Sequence, residues 1–195
     1  MRAIFYFLMK NPRCYAKLQA EIDAAQEKGF LSEYITFTEA QNHIPYLSIV
    51  IKEAMRLHPS FGLAMQRTVP PNAPVICGRK LSPGTEVGIS AWVLHRKKSV
   101  FGADADSFRP ERWLESESGA DQLRQMENCF VAFGAGTRIC IGRHISMMEM
   151  MKIVPLLLRR WRIEWVGLNG SQEWKVETQV FSRQTGIIVR FVARN

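Results

Sequence analysis

Phe133-Gly134-Ala135-Gly136-Thr137-Arg138-Ile139-Cys140-Ile141-Gly142 is the stretch that decides the reading of this sequence. Its two glycines ahead of the cysteine permit a tight loop and bring backbone close to a flat ligand. Arg138 carries a planar, permanently charged donor fork suited to a carboxylate on such a ligand. Cys140 falls at the start of an apolar helical pattern, where backbone N–H groups and the helix dipole favour an anionic sulfur. Gly142 leaves space beside that sulfur, and Phe133 is placed to shield it from water. A glycine-rich turn around a structural cysteine accounts for Gly-x-Gly alone, but not for Phe, Gly, Gly, Arg, Cys and Gly together in register. A phosphate loop is excluded, because no Gly-Lys-Ser/Thr and no dinucleotide fingerprint is present. Cys140 and His144 stand at helical spacing, yet no second ligand pair accompanies them, so His144 is read as an ordinary helix residue.

Upstream of the loop, residues 3–28 read as a helix or helix pair broken at Asn11-Pro12. Thr36 to Glu39 has the form of a capping box. Pro45 opens a clearer helix, with Tyr46, Leu47, Val50, Ile51, Ala54 and Leu57 at helical spacing and Pro59 as its stop. From Phe61 to Ser90, short apolar runs separated by Gly78 and by Pro83-Gly84 predict strands joined by tight turns. Trp92 to Lys98 reads as one short helix and 102–128 as loop-rich. Downstream, a helix is expected from Cys140 onward, with a broad apolar face of Ile141, Ile145, Met148, Ile153, Leu156 and Leu157, kinked or weakened at Pro155. The tail reads as β over 162–166, Val176 to Phe181 and Ile187 to Val192.

Two further groups carry charge in a pattern. Glu53 and Arg56 lie three apart on the helix opened by Pro45, so both point to one face. By themselves they make an exposed pair worth a few tenths of a kcal/mol, roughly. Phe108-Arg109-Pro110-Glu111-Arg112-Trp113 brings a further cation, and Arg112 can complete a buried network with Glu53 and Arg56.

The whole chain has 195 residues, 47% of them hydrophobic and 23% charged, which fits a folded domain or part of one. Lys+Arg 26 against Asp+Glu 18 gives net +8. No basic block or aromatic-interleaved basic stripe accompanies that charge, so it is read as a general surface property and no nucleic-acid partner is expected. Cys14, Cys77, Cys129 and Cys140 form no CxxC pair, which argues against a disulfide framework and for an intracellular setting. The apolar run Ile4 to Met9 is too short to span a bilayer.

Taken in order, Glu53-x-x-Arg56, Pro110-Glu111-Arg112 and Phe133-x-x-Gly136-x-Arg138-x-Cys140-x-Gly142 closely resemble the signatures of the cytochrome P450 haem-thiolate monooxygenases. Arg56-Leu57-His58-Pro59, Trp92-Val93-Leu94-His95-Arg96 and Phe108 to Leu114 are most similar to the filamentous-fungal branch, which includes detoxifying and secondary-metabolite hydroxylases. Trp113 stands where Phe is more usual. The resemblance covers about residues 3–192. It implies a mainly α fold with small β-sheets (α+β), with residues 1–195 as a single partial domain corresponding to the carboxy-terminal half of the P450 fold.

The same resemblance implies haem b as cofactor, with Cys140 as the iron ligand and electrons from NADPH through a reductase. It implies Arg138 and Arg67 as propionate partners, and Phe133, Gly134, Gly136 and Gly142 as cofactor-binding loop residues. Glu53, Arg56 and Arg112 become a structural network; Phe61, Leu63, Met65 and Phe181 become substrate contacts. No catalytic residue independent of the haem is expected, because the family's oxygen-activating acid/alcohol pair belongs to a helix upstream of this match. The helix bearing further propionate partners and the amino-terminal anchor, which places full-length members on the endoplasmic reticulum membrane, also lie outside it. The expected function is insertion of one oxygen atom from dioxygen into a small organic substrate. The alternative is a truncated, non-catalytic haem-binding or partner-binding fragment. Membrane-surface association remains compatible with both.

Overall fold

The computed structural model describes residues 1–72 and 75–194. Asn11 divides the first helical run into α1 (Arg2–Lys10) and α2 (Pro12–Glu27). Its Nδ2 donates to the Phe7 carbonyl at 2.7 Å, and its own carbonyl accepts from the Tyr15 N–H at 3.0 Å. Pro12 then occupies a first-turn position, where its missing N–H costs nothing. Helix α3 (Phe37–His43) opens with the capping box: Thr36 Oγ1 accepts from the Glu39 N–H at 3.2 Å, and Glu39 Oε2 accepts from the Thr36 N–H at 2.7 Å.

Helix α4 (Pro45–Leu57) is the centre of the molecule. Its apolar positions, Tyr46, Leu47, Val50, Ile51, Ala54 and Leu57, are all buried, as their spacing predicts. It packs against α1, α2, α3 and the long helix α9 (Arg143–Arg160), forming one core with Ile4, Leu8, Leu18, Ile22, Val154 and Leu158. A second, smaller core gathers Val100, Phe101, Ala105, Trp113 and Met126. Ile49 of α4 touches both, so α4 joins the two.

Among the described residues there are four two-stranded antiparallel sheets, one of which reaches the main core through Ile163 and Val189. Strand β1 (Met65–Thr68) pairs with β4 (Glu86–Ile89), and β2 (Val75–Ile76) with β3 (Arg79–Lys80) around Cys77-Gly78. Residues 73–74, within the expected strand region, lie outside the described residues. Strand β5 (Trp161–Trp165) pairs with β8 (Val189–Ala193), and β6 (Lys175–Thr178) with β7 (Ser182–Thr185).

Several local expectations change. The single helix expected over Trp92 to Lys98 is two one-turn pieces, α5 (Ala91–Leu94) and α6 (Lys98–Phe101), flanking the buried His95. The stretch 102–128 is less loop-rich than expected: it holds a 3-10 turn at Pro110–Trp113, α7 (Glu115–Ser118) and α8 (Ala120–Cys129). Only Met126 of α8 is fully buried, but Leu123, Cys129 and the following Phe130 pack beside it at three- and four-residue spacing, a short stripe within a polar stretch that reads as loop. Helix α9 begins at Arg143, which leaves Cys140 just ahead of it. Its core side is Met150, Met151, Val154, Pro155 and Leu158; of the expected apolar face, Ile145 and Met148, with Ile141 just ahead of the helix, are exposed, while Ile153, Leu156 and Leu157 are half-buried. The helix carries two apolar stripes, and packing against α2, α3 and α4 selects the other one. It runs through Pro155, where the loss is confined to one main-chain donor.

Leu47→Ala should lower stability by about 2–5 kcal/mol, because its side chain is fully buried in α4. Thr36→Ala should cost about 1 kcal/mol through loss of the cap. Urea unfolding followed by circular dichroism checks the ranking; equal losses would contradict the central place of α4.

Candidate functional site

The cysteine loop is built by its own main chain. The Gly134 N–H donates to Val131 O at 2.9 Å, the Ile139 N–H to Gly136 O at 3.2 Å and the Cys140 N–H to Phe133 O at 2.8 Å. Gly134 and Gly136 sit at φ +79° and +66°, which any L side chain would strain. A Cβ on Gly134 would also stand 3.7 Å from Met65 Sδ, so β1 packs close over the loop. At Gly142 the backbone is ordinary (φ −83°), and a Cβ there would make only an ordinary van der Waals contact, 3.9 Å from Cys140 Sγ. Cys140 is exposed, and all four cysteines are free thiols. His144 Nε2 lies 3.0 Å from Arg143 Nε, turned to its neighbour.

A cavity of about 790 Å³ opens beside the loop. Phe133, Gly134, Arg138 and Cys140 of the loop line it, together with Phe61, Leu63, Met65, Arg67 and Phe181. Gly136 and Gly142 shape the loop without lining the cavity. Arg67 donates only to the Gln66 carbonyl, at 2.7 Å, and among the described residues neither Arg67 nor Arg138 forms an ion pair. The wall containing Phe61 and Phe181 is tied together by main chain: the Gly62 N–H donates to Val180 O at 3.0 Å and the Ser182 N–H to Ser60 O at 2.8 Å. Gly62 permits that approach, since a Cβ there would meet Gln179 O at 2.4 Å. Met55 and Ser146 also line the cavity, and sequence reasoning missed both.

Behind the cavity, α4 turns Glu53 and Arg56 into the interior, both fully buried with Arg112. Arg56 donates from Nε to Glu53 Oε2 and from Nη2 to Glu53 Oε1, each at 2.9 Å. Arg112 Nε donates to Glu53 Oε1 at 2.9 Å, and the Trp113 indole N–H to Glu53 Oε2 at 2.9 Å. Arg56 Nη1 reaches the carbonyls of His95 (2.7 Å) and Ala105 (2.6 Å). Arg112 also meets Asp104 Oδ1 at 3.1 Å. Trp113, Asp104 and His95 were not read as partners, because their roles arise only when the chain folds back.

His95 is fully buried, and burial lowers its pKa from 6.5 to about 4. The Val131 N–H can only donate, so Nε2, 2.9 Å away, must accept. The ring proton is then on Nδ1, donating to the Arg56 carbonyl at 3.0 Å. Glu111, next to Arg112, binds elsewhere: Arg13 grips both its oxygens at 2.8 and 3.0 Å, with Tyr46 Oη at 2.9 Å. The Arg13 bonds hold its carboxyl down to about 2. Lys17 adds a further contact at 3.2 Å.

A family model described as Cytochrome P450 matches residues 1–190. The chain belongs to the cytochrome P450 family. It is 43% identical, over its full length, to the cytochrome P450 monooxygenase cicH of Emericella nidulans, covering 38% of that protein. It is 42% identical, again over its full length, to the cytochrome P450 monooxygenase ACRTS1 of Alternaria alternata, covering 50% of it. A pisatin demethylase of Fusarium vanettenii is 42% identical over 91% of this chain and 33% of its own length. The chain therefore spans half or less of these fungal P450 relatives. Its helix-rich architecture with small sheets agrees with a portion of the P450 fold. Among the described residues, no helix is long and apolar enough to cross a membrane.

Glu53→Gln should destabilise the chain by about 3–5 kcal/mol, because it leaves Arg56 and Arg112 buried without their shared anion. Urea unfolding measures this, and a loss under about 1 kcal/mol would mean that water reaches the network. The depressed pKa of His95 gives a separate pH signature. Between pH 6.5 and about 4 the unfolded chain takes up a proton that the folded chain refuses, so stability falls with falling pH in that window. The parent should lose about 3 kcal/mol more than His95→Gln across it. Parallel pH profiles for the two proteins would contradict this.

Proposed function

We propose that this chain forms the thiolate side of the haem pocket of a monooxygenase. That enzyme inserts one oxygen atom from dioxygen into a small organic substrate, with electrons from NADPH through a reductase. The observation that carries the reading is one mainly apolar cavity of about 790 Å³ that presents a thiol, Cys140, and two exposed guanidiniums, Arg67 and Arg138, that form no ion pair among the described residues. Haem b fits that donor set: a soft sulfur for iron, cations for its two propionates, and aromatic and thioether side chains for its macrocycle. Bound haem supplies dioxygen activation, which thiolate ligation promotes by donating electron density to iron.

The chain's own residues have holding and orienting roles. Cys140 ligates, Arg67 and Arg138 orient the carboxylates, and Phe133 keeps water from the sulfur. Gly134 and Gly136 give the loop its turn, while Gly142 leaves the sulfur accessible. Glu53, Arg56 and Arg112 fix the framework and take no part in chemistry. Phe61, Leu63, Met65 and Phe181 contact the substrate. The name of the demethylase relative supports a small organic substrate, in detoxification or secondary metabolism. The chain acts as a partial P450 domain, the carboxy-terminal half, and the whole enzyme works at the endoplasmic reticulum membrane.

One observation favours a second reading, a haem-binding fragment without turnover. At the cavity edge Phe181 is 69% and Leu63 49% exposed, so apolar wall faces solvent there. Reconstitution with haem should give a thiolate-type Soret band for the ferrous–CO complex, and Cys140→Ala should lose it. An unchanged band in that variant would sink the ligand assignment. Arg67→Leu and Arg138→Leu should each weaken haem binding by roughly ten- to a hundredfold. Substrate turnover with NADPH and a reductase selects the enzyme reading; haem binding without turnover selects the fragment.

A further inference from the structure

His95 is absent from the cavity lining and from the ion network's side-chain pairs, yet it is bonded to the main chain on both sides. Its Nδ1–H is fixed on the Arg56 carbonyl of α4 at 3.0 Å, and its Nε2 accepts from the Val131 N–H at 2.9 Å. The Arg56 guanidinium returns the contact by donating to the His95 carbonyl at 2.7 Å. The Phe130 ring lies nearly parallel to the imidazole, at 5.3 Å and 12°, and holds its plane. Val131 begins the cysteine loop. Its carbonyl accepts the Gly134 N–H at 2.9 Å, and Phe133 O, on the same peptide group as that N–H, accepts the Cys140 N–H at 2.8 Å. A continuous series of hydrogen bonds thus runs from α4 through the imidazole to the backbone of Cys140.

We infer that His95 is a positioning residue: as a neutral Nδ1–H imidazole it sets the register between the buried Glu53–Arg56 network and the loop that carries Cys140. No other side chain of the described residues bonds to the Val131 N–H, so without the Nε2 acceptor that buried donor is orphaned. The loop would then keep its glycine turns but lose its tie to α4. The chemistry needs an acceptor at the Nε2 position and a donor at the Nδ1 position, which only the uncharged ring supplies together.

Two variants separate positioning from plain packing. The His95→Asn carboxamide keeps a donor near the Nδ1 position but stops short of Val131, whereas His95→Gln places an acceptor near the Nε2 position. Residue-resolved amide exchange on the full chain at neutral pH reads the result without any cofactor. In His95→Asn, exchange at Val131, Gly134 and Cys140 should accelerate at least about tenfold while Ile51 and Ala54 of α4 stay protected; His95→Gln should restore most of the loop protection. Loop protection unchanged in His95→Asn, an equal rise throughout α4, or equal losses in both variants would overturn the inference. If His95→Asn fails to fold, the parent alone decides: its imidazole 15N spectrum should show a protonated Nδ1 and a bare Nε2, and the reverse tautomer or an imidazolium at neutral pH refutes the proposal. A second readout rests on the haem reading above. The thiolate-type ferrous–CO band of the reconstituted parent should diminish in His95→Asn and return in His95→Gln, and a band equally strong in all three overturns the inference. If the parent itself lacks the band, the haem reading fails, while amide exchange still judges His95.

Discussion

The carboxylate of Glu53, buried without solvent contact, is the constraint around which this chain is arranged. Moving such an anion out of water costs several kcal/mol unless its oxygens are well matched. Here Oε1 accepts from Arg56 Nη2, Arg112 Nε and the Arg109 N–H, and Oε2 accepts from Arg56 Nε and Trp113 Nε1, all at 2.9–3.0 Å. Two buried guanidiniums against one carboxylate would leave an excess positive charge. Asp104 offsets it on Arg112, and the carbonyls of Phe101, Ala105, Ser107 and His95 take the remaining N–H groups. Those carbonyls lie on the chain between α5 and the Pro110 turn, which holds the one-turn α6 and is otherwise irregular. A segment with little regular structure thereby acquires a fixed path, because each carbonyl satisfies a buried donor that has no alternative.

The same helix has a second side, which gives the network its functional bearing. Met55 lies between Glu53 and Arg56 in sequence but faces the cavity, while its neighbours face the interior. Displacement of the network would therefore move a cavity wall. The opposite wall depends on Gly62, whose missing Cβ lets residues 60–62 lie against 180–182. The cavity is thus fixed by one buried charge on α4 and by one close main-chain contact between distant segments.

Most of the local architecture was legible because its causes are local. Pro12, Pro45 and the Thr36–Glu39 box set helix starts through bonds within a few residues, and the loop before Cys140 needs glycine wherever φ is positive. The failures share a different cause. Helix α9 has two apolar stripes, and only the tertiary neighbours choose between them. Helix α8 is polar apart from a short stripe of Leu123, Met126 and Cys129, which only packing against Phe101 and Trp113 makes part of a core. Glu53 and Arg56 show the limit most clearly: an i, i+3 ion pair has one sequence whether it lies in water or in the core. His95 reads in the sequence only as part of a family-like segment, since nothing in its neighbours indicates a bond to a residue 36 positions away.

The charge distribution around the cavity adds a final argument for its occupant. The fully buried cations are matched: Arg56 by Glu53, and Arg112 by Glu53 and Asp104. Arg67 and Arg138 are exposed and form no ion pair among the described residues, yet they meet on one cavity that also exposes a thiol. A purely apolar ligand would leave both guanidiniums to water, and a small anion would leave the aromatic and thioether walls unfilled. A flat, amphiphilic ligand with an anionic edge and a metal for the sulfur meets all three requirements at once. For that reason the proposed haem pocket depends on Arg67, Arg138 and Cys140 acting on one molecule rather than on the cysteine loop alone.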